Sequence, residues 1–367
     1  MDDAPLNGPA QPAGAAAAAA ERIGVVIVTF NSADVIIPCL ESLFASTGAA
    51  LSVVVVDNNS DDGTADLIKR WATVDGVSDL SAGFPFAAAP APKPVPIDTA
   101  APGLAVATAP LTLIRSPVNG GFAHACNVAL RPLLARSDID AFWCLNPDCV
   151  VPPDAARRYL AAAAERPYAL LGSRTLYYER PDMIQSDGGR ISPLTAVCSS
   201  INTGRNPDTT PLPAEDTLNF VSGANMVASR AFIDRAGMMP ENYFLYYEEV
   251  DWAQQRGDLP LRLVPDLAVY HIGGTSIGSG SHDRRASAFS EYFNARNRIR
   301  FARRHMPTRL PFVVARSLAK AAKLTATGDR AEGMAELRGA LGLPPSARIA
   351  SRIKDPAARA MAFDKGR

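Results

Sequence analysis

Residues 24–30 (GVVIVTF) and residues 51–57 (LSVVVVD) decide the fold class of this 367-residue chain. Continuous runs of β-branched apolar residues are typical of strands that are buried on both faces, as they are in parallel sheets. Ser32 and Ser60, which follow the two runs, are suited to cap a helix after each strand. The sequence therefore predicts that the chain begins with a βαβα pattern.

The same alternation continues further along the chain. Residues 111–115 and 142–145 are apolar strand candidates, and residues 122–135 between them form a helix candidate. Parallel strands need such crossover helices, so the pattern predicts an α/β fold with a parallel central sheet. Beyond about residue 167 the predicted elements become shorter, with a strand near residues 225–228, and the second half is α+β.

In a sheet of this kind, ligands bind beyond the carboxyl ends of the strands. The segments that follow the four predicted strands are all rich in Asn, Asp, Ser or Gly. They are residues 29–32, 57–60, 119–122 and 146–148. A structural turn accounts for any one of these segments, but four together at one sheet edge indicate a site for a polar ligand.

Composition divides the chain into three parts. Residues 1–21 are rich in Ala and Pro and cannot bury enough apolar surface to fold, which predicts a disordered tail. Residues 22–284 form the predicted main domain, interrupted at residues 74–110 by an insert with seven Pro and ten Ala that favours a loop. Residues 285–367 form a predicted helical extension.

The overall charge and the cysteines exclude several classes of protein. Lys and Arg number 37, as do Asp and Glu, so a generally basic nucleic-acid-binding protein is excluded. Five cysteines without a CxxC pair indicate neither a zinc site nor a disulfide framework and suit a reducing cytosol. No segment has the pattern of a signal peptide or of a membrane span, which predicts a cytoplasmic protein.

One segment departs from this even charge distribution. Residues 292–328 contain nine Arg or Lys and no acidic residue, with Phe, Leu, Ile and Val interleaved. Such a segment can lie on an anionic membrane surface, so we expect peripheral association with the inner face of the cytoplasmic membrane. The alternative is a solvated helix whose apolar face packs on the domain.

Seven motifs in a fixed order give the chain a recognisable family pattern. They are GVVIVTFNS (24–32), VVVVDNNSDDGT (53–64), NGGFAHACN (119–127), LNPDCVVPPD (145–154), FVSGANMVASRAFIDRAGMM (220–239), FLYYEEVDW (244–252) and VYHIGGTS (269–276). This series resembles the family 2 glycosyltransferases of the GT-A fold, in particular their bacterial rhamnosyltransferase-like branch. The resemblance implies a mixed, mostly parallel central sheet with flanking helices and a C-terminal helical extension. It also implies an inverting enzyme that uses a nucleotide-activated sugar.

The resemblance also implies which residues bind the donor. The nucleotide would be held by residues at the ends of the first two strands, and the wall of the donor pocket would come from the third segment and its helix. These residues are Thr29, Asn31, Asp57 and Asn59 for the nucleotide, and Asn119, Gly121, Phe122 and Asn127 for the wall. The structural alternative for Asp57 and Asn59 is that they only cap the following helix.

The metal site implied by the resemblance departs from the usual Asp-x-Asp. Here the motif is Asn146-Pro147-Asp148, so an amide replaces one carboxylate, and the Asn146 side chain would face the donor. Asp148 and His271 would hold Mg²⁺ or Mn²⁺ against the donor diphosphate. The alternatives are a simple turn at residues 146–147 and a structural role for His271. The glycines and serines of residues 273–281, which follow His271, suggest a flexible lid near the acceptor.

The catalytic base implied by the resemblance is Glu249, where most relatives carry Asp. A carboxylate there could take the proton of the acceptor hydroxyl. Glu248 is expected to point away from the acceptor, and the pair could instead merely favour the start of a helix. Asp251 and Trp252 would either line the acceptor site or pack inside the protein.

These roles imply transfer of a sugar, with L-rhamnose from dTDP-rhamnose favoured, to a cell-surface polysaccharide or a lipid-linked glycan. Other donors remain open, namely a UDP-hexose or UDP-galactofuranose. A sugar-nucleotide-binding protein without activity is the alternative from a different class, because Asn146 replaces a carboxylate. A dinucleotide oxidoreductase is disfavoured, since no GxGxxG follows the first strand.

Overall fold

The computed structural model describes residues 21–73, 83–104, 106–273 and 285–363. The predicted tail, except for Glu21, and residues 274–281 of the predicted lid lie outside the described residues. The strands are β1 Arg22–Thr29, β2 Ala50–Asp57, β3 Ile97–Ala100, β4 Leu111–Arg115, β5 Ala141–Leu145, β6 Cys149–Val150, β7 Leu170–Tyr177, β8 Ile184–Ser186, β9 Gly189–Ile191, β10 Cys198–Ser200, β11 Asn225–Ser229 and β12 Leu261–His271. The helices are α1 Ile36–Phe44, α2 Thr64–Thr73, α3 Phe122–Leu134, α4 Ala155–Glu165, α5 Arg230–Ala236, α6 Glu248–Gln254, α7 Ala288–His305, α8 Leu310–Ala326, α9 Arg330–Ala340, α10 Ala347–Ala350 and α11 Pro356–Phe363.

Ten strands form one central sheet in the order β3-β4-β2-β1-β5-β11-β7-β12-β6, with β8 paired to β7. Five neighbouring strands of this sheet, β3, β4, β2, β1 and β5, are parallel, as the alternation of strands and helices predicts. β11 runs antiparallel to both of its neighbours, β5 and β7. The mixed, mostly parallel sheet expected from the sequence is therefore present, and β9 and β10 form a separate hairpin.

The apolar runs in β1 and β2 are buried on both faces. Val26 and Val54 lie in one hydrophobic cluster with α3, whereas Val25 and Val53 lie in the other with α1, α2 and α4. Successive side chains of a strand point to opposite faces of the sheet, so these runs need a helix layer on each side. The helices on both faces hold these parallel strands in place, with their carboxyl ends at the same edge of the sheet.

The prediction that residues 74–110 form a loop is wrong for part of the insert. Residues 97–100 form the edge strand β3, parallel to β4, and the preceding segment packs back onto the helices. The Lys93 ammonium lies 3.4 Å from a Glu41 carboxylate oxygen and over the Trp71 ring, whose indole N–H also donates to Glu41. Proline-rich composition concealed this docking, because the contacts involve residues far away in the sequence.

The predicted start of the first helix is also wrong. α1 begins at Ile36, and its preceding residue makes no side-chain capping hydrogen bond. The Ser32 hydroxyl instead accepts a hydrogen bond from the N–H of Phe30, and the Ser32 carbonyl accepts from the N–H of Ile36. Ser32 therefore shapes the turn at the end of β1 instead of capping the helix.

Candidate active site

The ends of β1 and β2 place two of the predicted nucleotide residues side by side. Thr29 and Asp57 are partners in the parallel register, and both are buried. The Thr29 hydroxyl donates to the Asp57 carboxylate over 3.2 Å, and the N–H of Ser60 lies 3.4 Å from the other carboxylate oxygen. The Asp57 carboxylate is thus oriented at the sheet edge rather than acting only as a helix cap.

Asn31 and Asn59 follow these strands in the left-handed backbone region, with φ of 51° and 66°. Asn is one of the few residues that tolerate this conformation, because its short amide can bond locally. The N–H of Asp61 donates to the Asn31 side-chain oxygen over 3.0 Å. Both asparagines are exposed at the sheet edge, where a ligand could reach them.

Asn58 is a buried residue that the sequence reasoning missed. Its amide nitrogen donates to the Asn119 side-chain oxygen over 2.9 Å, and its own oxygen accepts from the N–H of Gly120 over 3.1 Å. Asn58 therefore ties the end of β2 to the segment before α3. The signal in the sequence was a second Asn in VVVVDNNS, but a sequence does not show which of two adjacent amides faces inwards.

Gly121 permits a close approach between two segments of the site. Its φ is +90°, and an added Cβ would lie 2.5 Å from the carbonyl oxygen of Phe244. The N–H of the next residue, Phe122, donates to the same carbonyl over 3.1 Å. The backbone that comes close to Gly121 is therefore that of the FLYYEEVDW motif.

Asn127, expected in the wall of the donor pocket, is committed to internal contacts. It is buried, and its amide exchanges hydrogen bonds with the backbone of Met239 and donates to the Glu241 carboxylate. These bonds attach α3 to the chain before the FLYYEEVDW motif. They account for Asn127 without a ligand.

Asp148 and His271 meet at the carboxyl end of the sheet. The Nε2 atom of His271 lies 3.0 Å from an Asp148 carboxylate oxygen and 3.3 Å from the Asn146 amide nitrogen. The Nδ1 atom of the same ring lies 2.6 Å from the side-chain oxygen of Gln185, a residue that the sequence reasoning missed. A ring nitrogen facing an amide oxygen must be a donor, so the ring also donates to Asp148 when Nε2 is protonated, and Nε2 has a lone pair for a cation when the ring is neutral.

This donor set fits a divalent cation. An oxygen of Asp148 and a nitrogen of His271 point at each other, and an amide oxygen orients the ring from behind, as in many protein metal sites. Burial opposes ionisation of Asp148, but His271 and the N–H of Gly273 outweigh it, so the pKa of Asp148 is below its usual value. The thiol of Cys149, close to the pair, is a poor ligand because burial raises its pKa well above the usual value.

Glu249 lies across a short loop from this pair. A Cβ added at Gly223 would sit 3.3 Å from the Glu249 side chain, and the carbonyl of the next residue, Ala224, accepts from the N–H of Asn146. Burial raises the pKa of Glu249, although the N–H groups of Glu249 and Val250 counteract it. Residues 222–224 thus bring Glu249 and the Asp148–His271 pair to one place.

The turn before Glu248 has an unusual backbone. Tyr246 and Tyr247 are consecutive non-glycine residues with positive φ, 69° and 74°. Such a conformation costs on the order of 1–3 kcal/mol per residue and persists only where the surroundings impose it. Here the buried amide of Asn297 in α7 donates to the carbonyls of Leu245 and Tyr246. α7 therefore holds the turn that presents Glu249.

Asp251 and Trp252 pack inside the protein, which was one of the two roles considered for them. Neither is exposed. Asp251 accepts hydrogen bonds from Tyr243 and Arg304 and lies 3.0 Å from His305, while the indole of Trp252 donates to the Gly237 carbonyl. These contacts hold α6 in place and account for both side chains without an acceptor.

Comparison with known proteins identifies one segment of the chain and the fold. Residues 24–80 match the model of glycosyl transferase family 2. A fragment of TarS from S. aureus, solved in complex with UDP-GlcNAc, is 15% identical to this chain with a TM-score of 0.51 over 94% of this chain and 89% of that one. The chain therefore has the GT-A fold.

A second solved structure is also similar to this chain. Mannosyltransferase PcManGT from Pyrobaculum calidifontis, in complex with GDP-Man and Mn²⁺, is 16% identical over 87% of this chain and 86% of that one, with a TM-score of 0.46. A comparison with curated proteins gives no match.

Proposed function

We propose that this protein moves a sugar, with inversion, from a nucleotide diphosphate sugar to a hydroxyl group of a polysaccharide or lipid-linked acceptor. The observation that carries the proposal is that residues 222–224 contact both groups: Gly223 lies against the Glu249 side chain, and the Ala224 carbonyl accepts from the N–H of Asn146, next to the Asp148–His271 pair. A base and a diphosphate site on opposite sides of the anomeric carbon are what a single inverting displacement needs.

The donor end of the site would be assembled from the strand ends. Asp57 and Thr29 would orient the base of the nucleotide, since a buried carboxylate can accept a base N–H, and Asn31, Asn59, Asn119 and Phe122 would lie along the rest of the donor. Asp148 and His271 would hold Mg²⁺ or Mn²⁺, with Asn146 facing the diphosphate. When bound, such a cation neutralises charge that develops on the leaving diphosphate.

The acceptor end would depend on Glu249. Its carboxylate would take the proton of the acceptor hydroxyl as that oxygen attacks the anomeric carbon from the side opposite the diphosphate. The raised pKa of Glu249 supports this role, because a general base is most effective when its pKa approaches the working pH. The strained turn at Tyr246 and Tyr247 supports it as well, because strain of this kind concentrates at functional sites.

The donor that the motifs favour is dTDP-L-rhamnose, with UDP-hexoses and UDP-galactofuranose as the alternatives. The S. aureus TarS fragment was solved with UDP-GlcNAc, so that nucleotide sugar belongs in the same panel. Donor hydrolysis and thermal stabilisation of the purified protein would identify the donor. A ligand at 100 times its Kd stabilises the folded state by about 2.7 kcal/mol.

Substitution of Glu249 by Gln tests the base. The amide keeps the shape of the side chain but has no basic oxygen, so transfer should fall by about 10²- to 10⁴-fold while nucleotide binding stays within a few-fold. Glu248→Gln is the matched control, because it makes the same change in the adjacent residue. Transfer by Glu249→Gln above a tenth of the wild-type rate would contradict the assignment.

The second candidate function is binding of a sugar nucleotide without catalysis, favoured by the neutral Asn146 in place of an acid. It predicts stabilisation by a nucleotide sugar without hydrolysis or transfer with any acceptor. Under that outcome Glu249→Gln would leave every measured property unchanged.

A further inference from the structure

A groove with a volume of about 450 Å³ lies between the β9–β10 hairpin and α8. Two arginines from elements far apart in the sequence line it, Arg190 on β9 and Arg316 on α8, together with the hydroxyl residues Ser192, Thr195 and Ser199. No acidic residue is part of its lining. Two like charges converge here in a protein whose overall charge is zero.

The two arginines also lack partners. In the described ranges of the chain, neither guanidinium makes a hydrogen bond or an ion pair. The nearby Arg174 shows the contrast, since it makes a two-pronged contact with Asp187 at 3.0 and 2.9 Å. Guanidinium groups bind carboxylate and phosphate oxygens through such two-pronged contacts. Arg190 and Arg316, which make none within the described residues, therefore have N–H donors available for an anion.

The hydroxyl groups add donors to the same groove. Ser192 Oγ accepts hydrogen bonds from both the N–H and the hydroxyl of Thr195, at 3.2 and 2.8 Å. The proton of the Ser192 hydroxyl is therefore left to donate elsewhere. Ser199 is exposed on the adjacent strand. Two guanidinium groups and hydroxyl donors suit a phosphate group, which offers more acceptor oxygens and more charge than a carboxylate.

The groove is coupled to the catalytic turn. The hydroxyl of Tyr247, which directly precedes the two glutamates, donates to the Ala196 carbonyl in the turn of the hairpin over 2.8 Å. Burial raises the pKa of Cys198 in β10 to about 12, and the negative charge of Glu249 adds to the rise. Glu249 is thus within electrostatic reach of the hairpin, and the Tyr247–Ala196 hydrogen bond connects the groove to the turn before the proposed base.

We propose that this groove binds a phosphate ester carried by the acceptor, next to the hydroxyl that Glu249 deprotonates. The assignment rests on the proposed function and specifies its acceptor. Phe312, 50% exposed and one helical turn before Arg316 on α8, offers an apolar contact beside the anion site. Such a neighbour would favour a phosphate attached to a lipid chain over a phosphate on a free glycan.

Calorimetric titration of the purified full chain at low salt tests the groove. The probes are farnesyl phosphate, glucose 1-phosphate and glucuronate, each titrated into wild type, into the double variant Arg190→Gln/Arg316→Gln and into Arg70→Gln. Arg70 is the matched control, an exposed arginine on α2 outside the groove. Affinity for UDP and for dTDP, measured on the same samples, shows whether the donor site is intact.

We expect both phosphate esters to bind wild type and Arg70→Gln, with the double variant weaker by about tenfold or more, since each charge-assisted contact is worth more than a neutral hydrogen bond. Tighter binding of farnesyl phosphate, reduced by Phe312→Ser, would assign the lipid-linked source, and equal binding of glucose 1-phosphate would assign a phosphorylated glycan. Unchanged affinity in the double variant, or preference for glucuronate, would overturn the proposal. These titrations need no sugar donor, so they test the phosphate site independently of the proposed function. The phosphate site could be absent in an active glycosyltransferase, and it could be present in a protein without transfer activity.

Discussion

At the scale of single residues, the two adjacent glutamates at the start of α6 differ in their surroundings. Glu249 is partly exposed over Gly223, whereas Glu248 is buried, and one of its carboxylate oxygens has no hydrogen-bond partner among the described residues. Burial raises the pKa of Glu248 well above its usual value, and the charge of Glu249 adds to the rise. Burial and the charge of Glu249 thus both favour the protonated form of Glu248.

A pH-dependent stability difference should follow from Glu248. Below the usual pKa of Glu both the folded and the unfolded state hold the proton, but above it only the folded state does, so stability falls as pH rises toward the raised folded pKa. One such group contributes a slope of up to about 1.4 kcal/mol per pH unit. Glu248→Gln should remove its part of this slope and become more stable than wild type towards neutral pH.

Urea unfolding at several pH values between 5 and 8 measures this difference. Glu179→Gln, a change at an exposed position, is the control and should keep the wild-type slope. The outcome that would contradict this prediction is an equal pH dependence of the unfolding free energy in Glu248→Gln and in wild type. It would show that Glu248 is ionised in the folded state.

Gln185 should tune the metal site through His271. Its side-chain oxygen faces Nδ1 of the ring at 2.6 Å and so selects the tautomer with Nε2 free for a ligand. Replacing Gln185 by Leu should raise the Mg²⁺ or Mn²⁺ concentration needed for half-maximal activity by about 10- to 100-fold. Nucleotide binding without metal is the internal control, and an unchanged metal requirement would show that the ring does not act as a ligand.

The residue types at the sheet edge could be read from the sequence, but their partners could not. Thr29, Asp57, Asp148 and Glu249 follow strands or begin a helix, and topology alone brings such positions together. Asn127 fits the same pattern, yet its amide is used by the backbone of residues 239–241. Asn58 and Gln185 were missed because their roles depend on contacts with distant segments.

At the scale of elements, the start of α3 and the FLYYEEVDW segment depend on each other through Gly121. A side chain at position 121 would require both a positive φ and a shift of the Phe244 backbone. Because Phe244 leads into the strained turn before Glu249, a change at Gly121 should reach the base.

The strand in the proline-rich insert also depends on a distant segment. Composition predicted a loop there, but residues 97–100 pair with β4 and form a strand.

Gly121→Ala should therefore cost both stability and activity. Gly63→Ala is a matched control, since Gly63 has a φ of +86° but nothing within 4 Å of an added Cβ. The control bears only the conformational cost, about 1–2 kcal/mol, whereas Gly121→Ala adds the clash. Urea unfolding and transfer kinetics should show a larger stability loss and a lower kcat for Gly121→Ala. Equal losses in the two variants would mean that the Phe244 contact is unimportant.

At the scale of the whole molecule, the helices after residue 285 are integrated with the GT-A core. α7 contributes Ile299 and Phe301 to one main cluster, and Phe293 packs with Phe244 near the turn that precedes Glu248. Lys354, between α10 and α11, forms an exposed ion pair with Asp61 beside the end of β2. The predicted extension thus contacts both the end of β2 and the segment that precedes Glu249.

This packing also changes the meaning of the basic segment 292–328. Five of its nine cations have partners inside the protein: Arg296, Arg298, Arg300, Arg304 and Lys320. The acids missing from the segment are supplied by other parts of the chain, as Glu336 shows for Arg298. Arg303, Arg309, Arg316 and Lys323 remain exposed, together with Phe312 and Leu318. No helix within the described parts of the chain is long and apolar enough to cross a membrane.

We accordingly expect weak, salt-sensitive binding to anionic vesicles through this smaller set of cations. Each cation near an anionic surface contributes about 1 kcal/mol at most. Co-sedimentation with anionic vesicles at low salt should fall when Arg303, Arg309 and Lys323 are replaced by Glu, while neutral vesicles should bind neither protein. Undiminished sedimentation of the folded triple variant would exclude this surface, and absence of wild-type sedimentation at low salt would contradict the expected membrane association.

The position of β11 has a consequence for expression of partial chains. This strand fills the centre of the sheet between β5 and β7, yet it is made long after β5. Until it arrives, the hydrogen-bonding edge of β5 stays open in the middle of an apolar sheet, and open edges recruit strands from other molecules. A fragment ending after α4 would keep the proposed donor residues Thr29, Asp57 and Asp148 but should aggregate, so we expect this half to require the rest of the chain for folding.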